Sequence, residues 1–395
     1  MACRGPRDIP TGFSAALGPD SAGQVRPARN ADIELGASWD NLGPAECLGG
    51  ALLAVPLVCS DVHRGHAPKL QTVDGQLYDH PETPARPALV REALEAAGLA
   101  RSVAPTAHDV RLLDAVHEPK YREFIRDTCA ELGPEAILTP VGVSMDPAVL
   151  ERSDPAERAA YYSFGQDAPL MQATYRAARE AVDVALTGAD LVRGGTVDAF
   201  ALCRPPGHHA EHDRMGGFCY FNNAVVAANL LSGDGRVAIL DVDYHHGNGS
   251  QHLAYTRDDI LYVSLHADPR FAYPGFSGHA NERGRGAGVG FNLNLPLPPH
   301  MQIDAYMDVL DRGCEAVAKF DPRALVVSLG FDTHREDPIA VLGLYSEDFG
   351  RLAERIAGLG TPRLHVLEGG YALNRLGESA VAYVQGLPGG TVADA

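Results

Sequence analysis

Residues 236–249 read RVAILDVDYHHGNG, an apolar run that changes abruptly into acidic residues, histidines and glycines. The run is continuously apolar instead of alternating, which is typical of a strand buried on both faces of a parallel sheet. The runs ILYVSLH at 260–266 and ALVVSLG at 324–330 have the same character. Because such strands must be covered by helices on both sides, the sequence predicts an α/β fold with an open, mostly parallel sheet sandwiched by helices.

The rest of the chain alternates short apolar runs with longer amphipathic stretches, as this fold requires. Predicted strands lie at 54–60, 198–203, 237–243, 260–266, 291–296, 324–330 and 364–368. Predicted helices lie at 86–98, 168–188, 222–232, 302–319 and 347–359. We therefore expect residues 54–390 to form a single domain.

Two segments do not fit this alternation. Residues 1–50 are rich in Gly, Pro, Ala and Asp without periodicity, which predicts an extended or poorly ordered N-terminal arm. Residues 134–167 lie between two helical patterns and resist assignment. A loop of that length in a compact domain is usually functional or disordered.

The composition argues against several classes of protein. The 395 residues include 33 basic and 51 acidic side chains, for a formal net charge of −18, whereas nucleic-acid binding needs a basic surface. An acidic surface suits a small cationic substrate, although solubility alone would also explain it. The seven cysteines show no C-x-x-C spacing, no apolar run approaches the ~20 residues of a membrane span, and the N-terminus lacks a signal-peptide core. We expect a cytoplasmic protein with reduced thiols and no nucleic-acid or membrane partner.

Polar side chains follow four of the predicted strands, at the edge where parallel sheets bind their ligands. In the extended segment after the apolar run, Asp241, Asp243 and His245 point to one side. Two carboxylates on one face near the core need a cation or donors to neutralise them, and Asp332, which ends VVSLGFD, is the best further ligand. This set, with open positions, suits a catalytic Zn²⁺, and Fe²⁺ would also accept it. The alternative is an ordinary loop with solvated charges.

The segment RPPGHHA at 204–210 places two adjacent histidines, His208 and His209, after another predicted strand. One histidine could act as a general base on an attacking water and the other as its charged neighbour. Asp241 and Asn248 are available to orient them. The alternative is a pair of ordinary surface histidines.

The segment EGGY at 368–371 follows the last predicted strand. Its glycines permit a tight backbone, and Tyr371 comes directly after them. We interpret this tyrosine as a phenol aimed at a developing oxyanion. The alternative is a core tyrosine packed after a turn.

Six segments together resemble the histone deacetylase and acetylpolyamine amidohydrolase superfamily, and in particular its acetylpolyamine amidohydrolase branch. They are RPPGHHA, GFCYFNNAVVAA, AILDVDYHHGNGSQ, VSLHAD, VVSLGFD and EGGY, which occur in the order and spacing of that family between about residues 54 and 387. The resemblance implies an arginase/deacetylase-like fold with a single sheet of about eight strands. It also implies a zinc-dependent deacetylase, which hydrolyses the amide bond of an acetylated amine.

The same resemblance implies two ion sites. Zn²⁺ would be held by Asp243, His245 and Asp332. A structural K⁺ would be bound, mostly through backbone carbonyls, near Asp241, Asp243, His245, Ser264 and Leu265. Residues that match the wall of the family's narrow substrate tunnel are Gly217, Phe218 and Tyr273, with Ile339 near its inner end.

The resemblance also assigns the proton-transfer groups. His209 would take a proton from water and give it to the leaving amine, with His208, paired with Asp241, as its electrostatic partner. Tyr371 would donate to the carbonyl oxygen. Asn248 stands where many family members have Asp, so it can orient His209 without adding a negative charge. His209 should therefore be less basic than in those relatives.

Three features favour a small acetylated amine as substrate over acetyl-lysine in a protein, which is the alternative. The 134–167 segment resembles an insertion with which acetylpolyamine amidohydrolases narrow the cleft and form a homodimer. Tyr162 replaces an Asp by which protein deacetylases hold the substrate backbone. Asp167 lies close to where the polyamine enzymes place an acidic residue against the distal ammonium.

Two further functions remain open alternatives. The fold resembles that of ureohydrolases with two Mn²⁺ ions, but their D-x-H-x-D pattern is broken because Gly247 takes the last place. Their second carboxylate pair is also missing, since Asp332 is followed by Thr333 and His334. A non-catalytic module that binds acetylated amines would be favoured if a catalytic or ligand position were replaced, and none is.

Overall fold

The computed structural model describes residues 54–73, 76–140, 142–151 and 154–388, so the arm predicted at 1–50 lies outside the described residues. The strands are β1 (Val55–Val58), β2 (Leu70–Val73), β3 (Gln76–Asp79), β4 (Ala100–Val103), β5 (Asp198–Ala201), β6 (Val237–Asp241), β7 (Ile260–Ala267), β8 (Asn292–Leu297), β9 (Ala324–Leu329) and β10 (Arg363–Leu367).

Eight of these strands form one sheet in the order β4-β1-β5-β10-β9-β6-β7-β8. Every neighbouring pair in it is parallel, while β2 and β3 form a separate antiparallel hairpin. The predicted single parallel sheet is confirmed, and each of the seven predicted strands is present. The eighth strand, β4, escaped prediction because Arg101 and Ser102 are exposed at the sheet edge and interrupt its apolar character.

The helices cover both faces of the sheet. They are α1 (Ala85–Ala96), α2 (Arg111–Asp114), α3 (Pro119–Glu131), α4 (Pro155–Tyr161), α5 (Thr174–Arg193), α6 (Asn223–Leu231), α7 (Asn248–Ala254), α8 (Ile303–Phe320), α9 (Asp348–Ala357) and α10 (Leu373–Gln385). The five predicted helices correspond to α1, α5, α6, α8 and α9, although α5 begins at Thr174 and not at residue 168. In the described residues, no helix is long and apolar enough to cross a membrane.

The sheet separates two apolar cores. Side chains of β6 alternate between them: Ala238 and Leu240 pack with α1, α8, α9 and α10, whereas Val237 and Ile239 pack with α3, α5 and α6. All five residues of β6 are buried. Its continuous apolar sequence therefore reflects burial on both faces, as the sequence predicted.

The 134–167 segment is more ordered than the sequence indicated. Its described part contains a 3₁₀ turn, Pro147–Glu151, and the short helix α4. The carboxylate of Asp154 caps α4 by accepting a hydrogen bond from the backbone N–H of Ala156. Tyr162 is buried and packs on Phe124, with ring centroids 4.9 Å apart. It therefore anchors the segment on α3.

Candidate active site

The four strands that carry the polar segments lie side by side. The sheet order places β5, β10, β9 and β6 next to one another. Because these strands are parallel, the segments RPPGHHA, EGGY, VVSLGFD and DVDYHHGNG all leave the sheet at its carboxyl edge. This is where open α/β sheets bind their ligands.

Asp243, His245 and Asp332 converge at this edge. Each residue offers one ligand atom, and these atoms lie within 4.8 Å of one another. Nδ1 of His245 is 3.0 Å from Oδ2 of Asp332 and 3.4 Å from Oδ1 of Asp243. All three residues are buried. Two buried carboxylates this close to one another are destabilising unless a cation lies between them, so the group fits a divalent metal ion.

Two glycines form the inner wall of this group. A Cβ at Gly330 would lie 2.2 Å from Oδ2 of Asp243, and one at Gly369 would lie 2.4 Å from Oδ2 of Asp332. The Gly369 N–H donates to Asp243 at 2.8 Å. The two carboxylates therefore rest directly on main chain. One imidazole nitrogen with carboxylate oxygens is a donor set that suits Zn²⁺ or Fe²⁺.

His208 and His209 lie beside the carboxylates, with ring centroids 4.1 Å apart and ring planes tilted by 48°. Nδ1 of His208 lies 3.2 Å from Oδ2 of Asp241. Burial opposes the charged form of His208, but the carboxylates of Asp243 and Asp241 raise its pKa to about 10. Burial and the neighbouring His208 lower the pKa of His209 well below its usual value. At neutral pH these shifts favour a protonated His208 beside a neutral His209.

His209 is oriented by Asn248, the first residue of α7. Nδ1 of His209 lies 2.8 Å from Oδ1 of Asn248. Since an amide oxygen can only accept, His209 donates its Nδ1 proton in this bond. Nε2 is then the nitrogen available to accept a proton. The structure brings together the two residues that the sequence paired.

Tyr371 reaches the same edge from the end of β10. Its backbone N–H donates to Oδ2 of Asp337 at 2.7 Å, and the guanidinium of Arg86 lies 4.8 Å from its ring centroid. The Phe218 ring packs against it at 5.9 Å. Burial raises the pKa of Tyr371 well above its usual value. The hydroxyl stays protonated and can donate to a substrate oxygen.

Gly217 and Tyr273 lie against His209, whereas the Phe218 ring packs on His80 and Tyr371. A Cβ at Gly217 would lie 2.2 Å from Cδ2 of His209, and Gly217 has φ +55°, so no other residue fits there. Phe218 has φ +65°. The Tyr273 ring lies 5.0 Å from that of His209 and is perpendicular to it. The Phe218 ring thus lies close to Tyr371 and the Tyr273 ring close to His209, while their role as walls of a substrate tunnel stays a prediction.

The outer residues of the predicted site are Asp167 and Ile339. A carboxylate oxygen of Asp167 accepts a hydrogen bond from the Gly217 N–H at 2.8 Å. Burial raises the pKa of Asp167, and this hydrogen bond opposes the increase. Ile339 is 36% exposed, which favours the rim of the proposed tunnel over its inner end.

Of the residues predicted to hold K⁺, Asp241 ends β6 and Ser264 and Leu265 lie in the neighbouring β7, whereas Asp243 and His245 follow β6. Asp241 pairs with Ser264 across these strands. Oγ of Ser264 lies 2.7 Å from Nδ1 of His266, and Leu265 is buried.

Sequence analysis missed three buried charged residues behind the site. Glu368 accepts hydrogen bonds from the backbone N–H groups of Gly207 and His208 at 2.7 and 3.1 Å, and burial raises its pKa to about 7. Arg86 donates to the Gly370 carbonyl at 2.6 Å, and Asp337 holds the Tyr371 backbone. Glu368 could have been found from the sequence, because a carboxylate directly after a buried strand needs buried donors.

Two carboxylates and an imidazole that could hold a metal ion, with two further histidines beside them, form a site that suits hydrolysis at the ligand edge of the parallel sheet. The histone deacetylase domain model matches residues 80–387. The chain is 44% identical over 340 residues to acetylpolyamine amidohydrolase 1 of Pseudomonas aeruginosa, covering 84% of this chain and 98% of that protein. It is 36% identical to acetylpolyamine amidohydrolase of Mycoplana ramosa, with coverages of 84% and 99%.

A solved structure agrees with these matches. Acetylpolyamine aminohydrolase from Burkholderia pseudomallei superposes with a TM-score of 0.81 at 35% identity, covering 84% of this chain and 98% of that one. The chain therefore belongs to the histone deacetylase family, and it is a hydrolase that acts on acetyl amides.

Proposed function

We propose that this enzyme is a zinc-dependent deacetylase of small acetylated amines such as acetylpolyamines. The observation that carries the proposal is the convergence of Asp243, His245 and Asp332 beside a neutral His209 and a protonated Tyr371. Amide hydrolysis needs a polarised carbonyl, an activated water and a group that manages protons, and these residues meet all three needs.

The carboxylates of Asp243 and Asp332 and Nδ1 of His245 would hold the zinc ion. When bound, the ion supplies Lewis acidity, which polarises the acetyl carbonyl and makes water more acidic. Fe²⁺ is a second candidate for the same donors. A structural K⁺ is proposed at the backbone of β6 and β7, supported by the pairing of Asp241 with Ser264.

The chain's own residues manage the protons. Nε2 of His209 accepts a proton from the water that attacks the acetyl carbonyl carbon, and it later gives that proton to the leaving amine. His208 stays protonated beside Asp241 and contributes positive charge where the oxyanion develops. The Tyr371 hydroxyl donates to that oxyanion. Phe218 and Tyr273 exclude water from the reacting amide.

The substrate assignment predicts a strong preference among acetyl amides. We expect kcat/KM for an acetylated polyamine to exceed that for an acetyl-lysine peptide by about a hundredfold, or about 2.7 kcal/mol in transition-state binding. The comparison is made side by side on zinc-loaded protein. Comparable values, or a preference for the peptide, would reassign the substrate to protein acetyl-lysine and leave the deacetylase activity standing.

We predict that Asp167→Asn raises KM for an acetylated polyamine about fivefold, because one partly exposed ion pair contributes up to about 1 kcal/mol. Asparagine can still accept the hydrogen bond from Gly217, so the backbone contact is kept. A distal ammonium would also favour the charged form of Asp167, which burial opposes.

The KM of a neutral acetyl-anilide substrate serves as the control and should not change in Asp167→Asn. Asp146→Asn removes an exposed charge from the same segment and should alter neither KM. Equal effects of Asp167→Asn on the charged and the neutral substrate would remove Asp167 from the polyamine site.

We also propose that the enzyme is a cytoplasmic homodimer that pairs through the 134–167 segment. Three exposed apolar side chains on this segment support the pairing: Ile137, Val143 and Met145. Sedimentation of the zinc-loaded protein measures the oligomeric state.

A further inference from the structure

The side chain of Asn248 makes three hydrogen bonds. Its Oδ1 lies 2.8 Å from Nδ1 of His209. Its Nδ2 donates to Oε1 of Glu211 at 2.8 Å and to the carbonyl oxygen of His209 at 3.3 Å. Asn248 is 2% exposed and Glu211 is half-buried. Glu211 follows the catalytic histidines by two residues, and neither the deacetylation chemistry nor the metal site uses it.

The partners of Asn248 fix the orientation of its amide group. A carboxylate and a backbone carbonyl only accept hydrogen bonds, so the NH₂ group must face Glu211 and the His209 carbonyl. The flipped amide would place its oxygen against two acceptors and its NH₂ group against His209. Oδ1 therefore faces the imidazole, which must carry its proton on Nδ1. Glu211 thus determines, through Asn248, which nitrogen of His209 is free.

The backbone holds this chain of contacts in place. The start of α7 lies directly on the histidine segment, because a Cβ at Gly249 would lie 2.2 Å from the carbonyl oxygen of Ala210. The Ser250 N–H donates to the His208 carbonyl at 3.0 Å, and the Glu211 N–H donates to the Arg214 carbonyl at 2.9 Å. Glu211 and Asn248 therefore project from two segments that cannot separate easily.

We propose that Glu211 is a positioning residue for deacetylation: its carboxylate holds the Asn248 amide, keeps the His209 proton on Nδ1, and supplies the negative charge that Asn248 lacks. The consequence for turnover rests on the proposed role of His209 as the base. The effect on the His209 proton does not rest on it.

Exchanging donor and acceptor between the two side chains tests the proposal. Glu211→Gln keeps an acceptor for Asn248 but removes the charge, so we expect kcat to fall about threefold, and Glu211→Ala should lower it about tenfold. Asn248→Asp places two carboxylates 2.8 Å apart and should lower kcat by more than about tenfold. When Glu211→Gln is combined with Asn248→Asp, the new amide can donate to the new carboxylate, and kcat should recover to within about threefold of the parent. KM should stay within twofold, roughly, in every variant.

Two controls separate positioning from general damage. Glu118→Gln removes the same charge near His212, with 3.8 Å between the side chains, and should leave kcat unchanged. Melting temperature and zinc content should match the parent in every variant. A double variant no more active than Asn248→Asp, or Glu211→Ala with the parent's kcat, would overturn the proposal.

Histidine-selective ¹⁵N NMR of the zinc-loaded protein reads the His209 proton without turnover, with the resonance assigned from His209→Gln. We expect protonated Nδ1 in the parent and a population with protonated Nε2 in Glu211→Ala. If Glu211→Ala shows this change but the parent protein cleaves no acetyl amide, the proposed function is refuted and the positioning role stands. If the parent enzyme cleaves acetyl amides and the spectrum is unchanged in Glu211→Ala, the positioning role is refuted and the proposed function stands.

Discussion

Asp332→Ala should lower kcat/KM for an acetylated amine by about 10⁴-fold or more. A bound metal ion contributes several kcal/mol of charge stabilisation and an activated water, and each 1.36 kcal/mol corresponds to about a factor of ten. Asp332 supplies one of three buried ligand atoms, and its other oxygen accepts from the Tyr244 backbone at 2.9 Å. The alanine variant loses the ligand, so metal content and kcat/KM should fall together.

A binding measurement tests the same variant without turnover. A ligand that binds only the folded state raises the melting temperature, so added Zn²⁺ should stabilise the parent protein and not Asp332→Ala. Asp304→Ala removes an exposed carboxylate from α8 and is the matched control. Full zinc stabilisation of Asp332→Ala, with activity retained, would place the metal elsewhere.

Tyr371→Phe should lower kcat about 10²- to 10³-fold with little change in KM, as expected when one oxyanion donor is removed. Phenylalanine keeps the ring, which packs on Phe218 and under Arg86, and it keeps the backbone bond to Asp337. The change therefore isolates the hydroxyl. Steady-state kinetics on an acetylated polyamine give both constants.

Tyr383→Phe offers a matched control, because its hydroxyl lies 3.0 Å from Nδ1 of His365 in the core. It should affect stability and not kcat. If Tyr371→Phe raised KM and left kcat unchanged, the hydroxyl would bind the ground state and would not be the oxyanion donor.

The parts of the fold that sequence predicts are those whose burial is uniform. β6, β7 and β9 are buried throughout and mostly apolar because both faces are covered, and the ends of β6 and β9 are followed by Asp243 and Asp332. The edge strand β4 has a mixed sequence because water covers one side, so its pattern carries little information. The helices α3 and α10 were not predicted, although Pro119 at the first position of α3 is a helix-start signal that the sequence offered.

The residues of the site also differ in how well the sequence predicts them. The candidate metal ligands and the two histidines follow β5, β6 and β9 in short segments, and the residue spacing within each segment is visible in the sequence. Glu211 and Arg86 act through partners 37 and 284 residues away in the chain, and only the folded arrangement brings them together. Asp167 lies in a segment without periodicity, so its contact with Gly217 could not be derived from local pattern.

Gly330 and Gly369 have a consequence for attempts to re-engineer the enzyme. The wall they form is main chain, so it offers no side chain to exchange, and any larger residue at either position would collide with a metal ligand. Libraries that vary these positions should yield inactive clones almost exclusively. Under the proposed function, variation at Asp167, Ile339 and the 134–167 segment should change which acetylated amines are accepted and leave the candidate metal ligands intact.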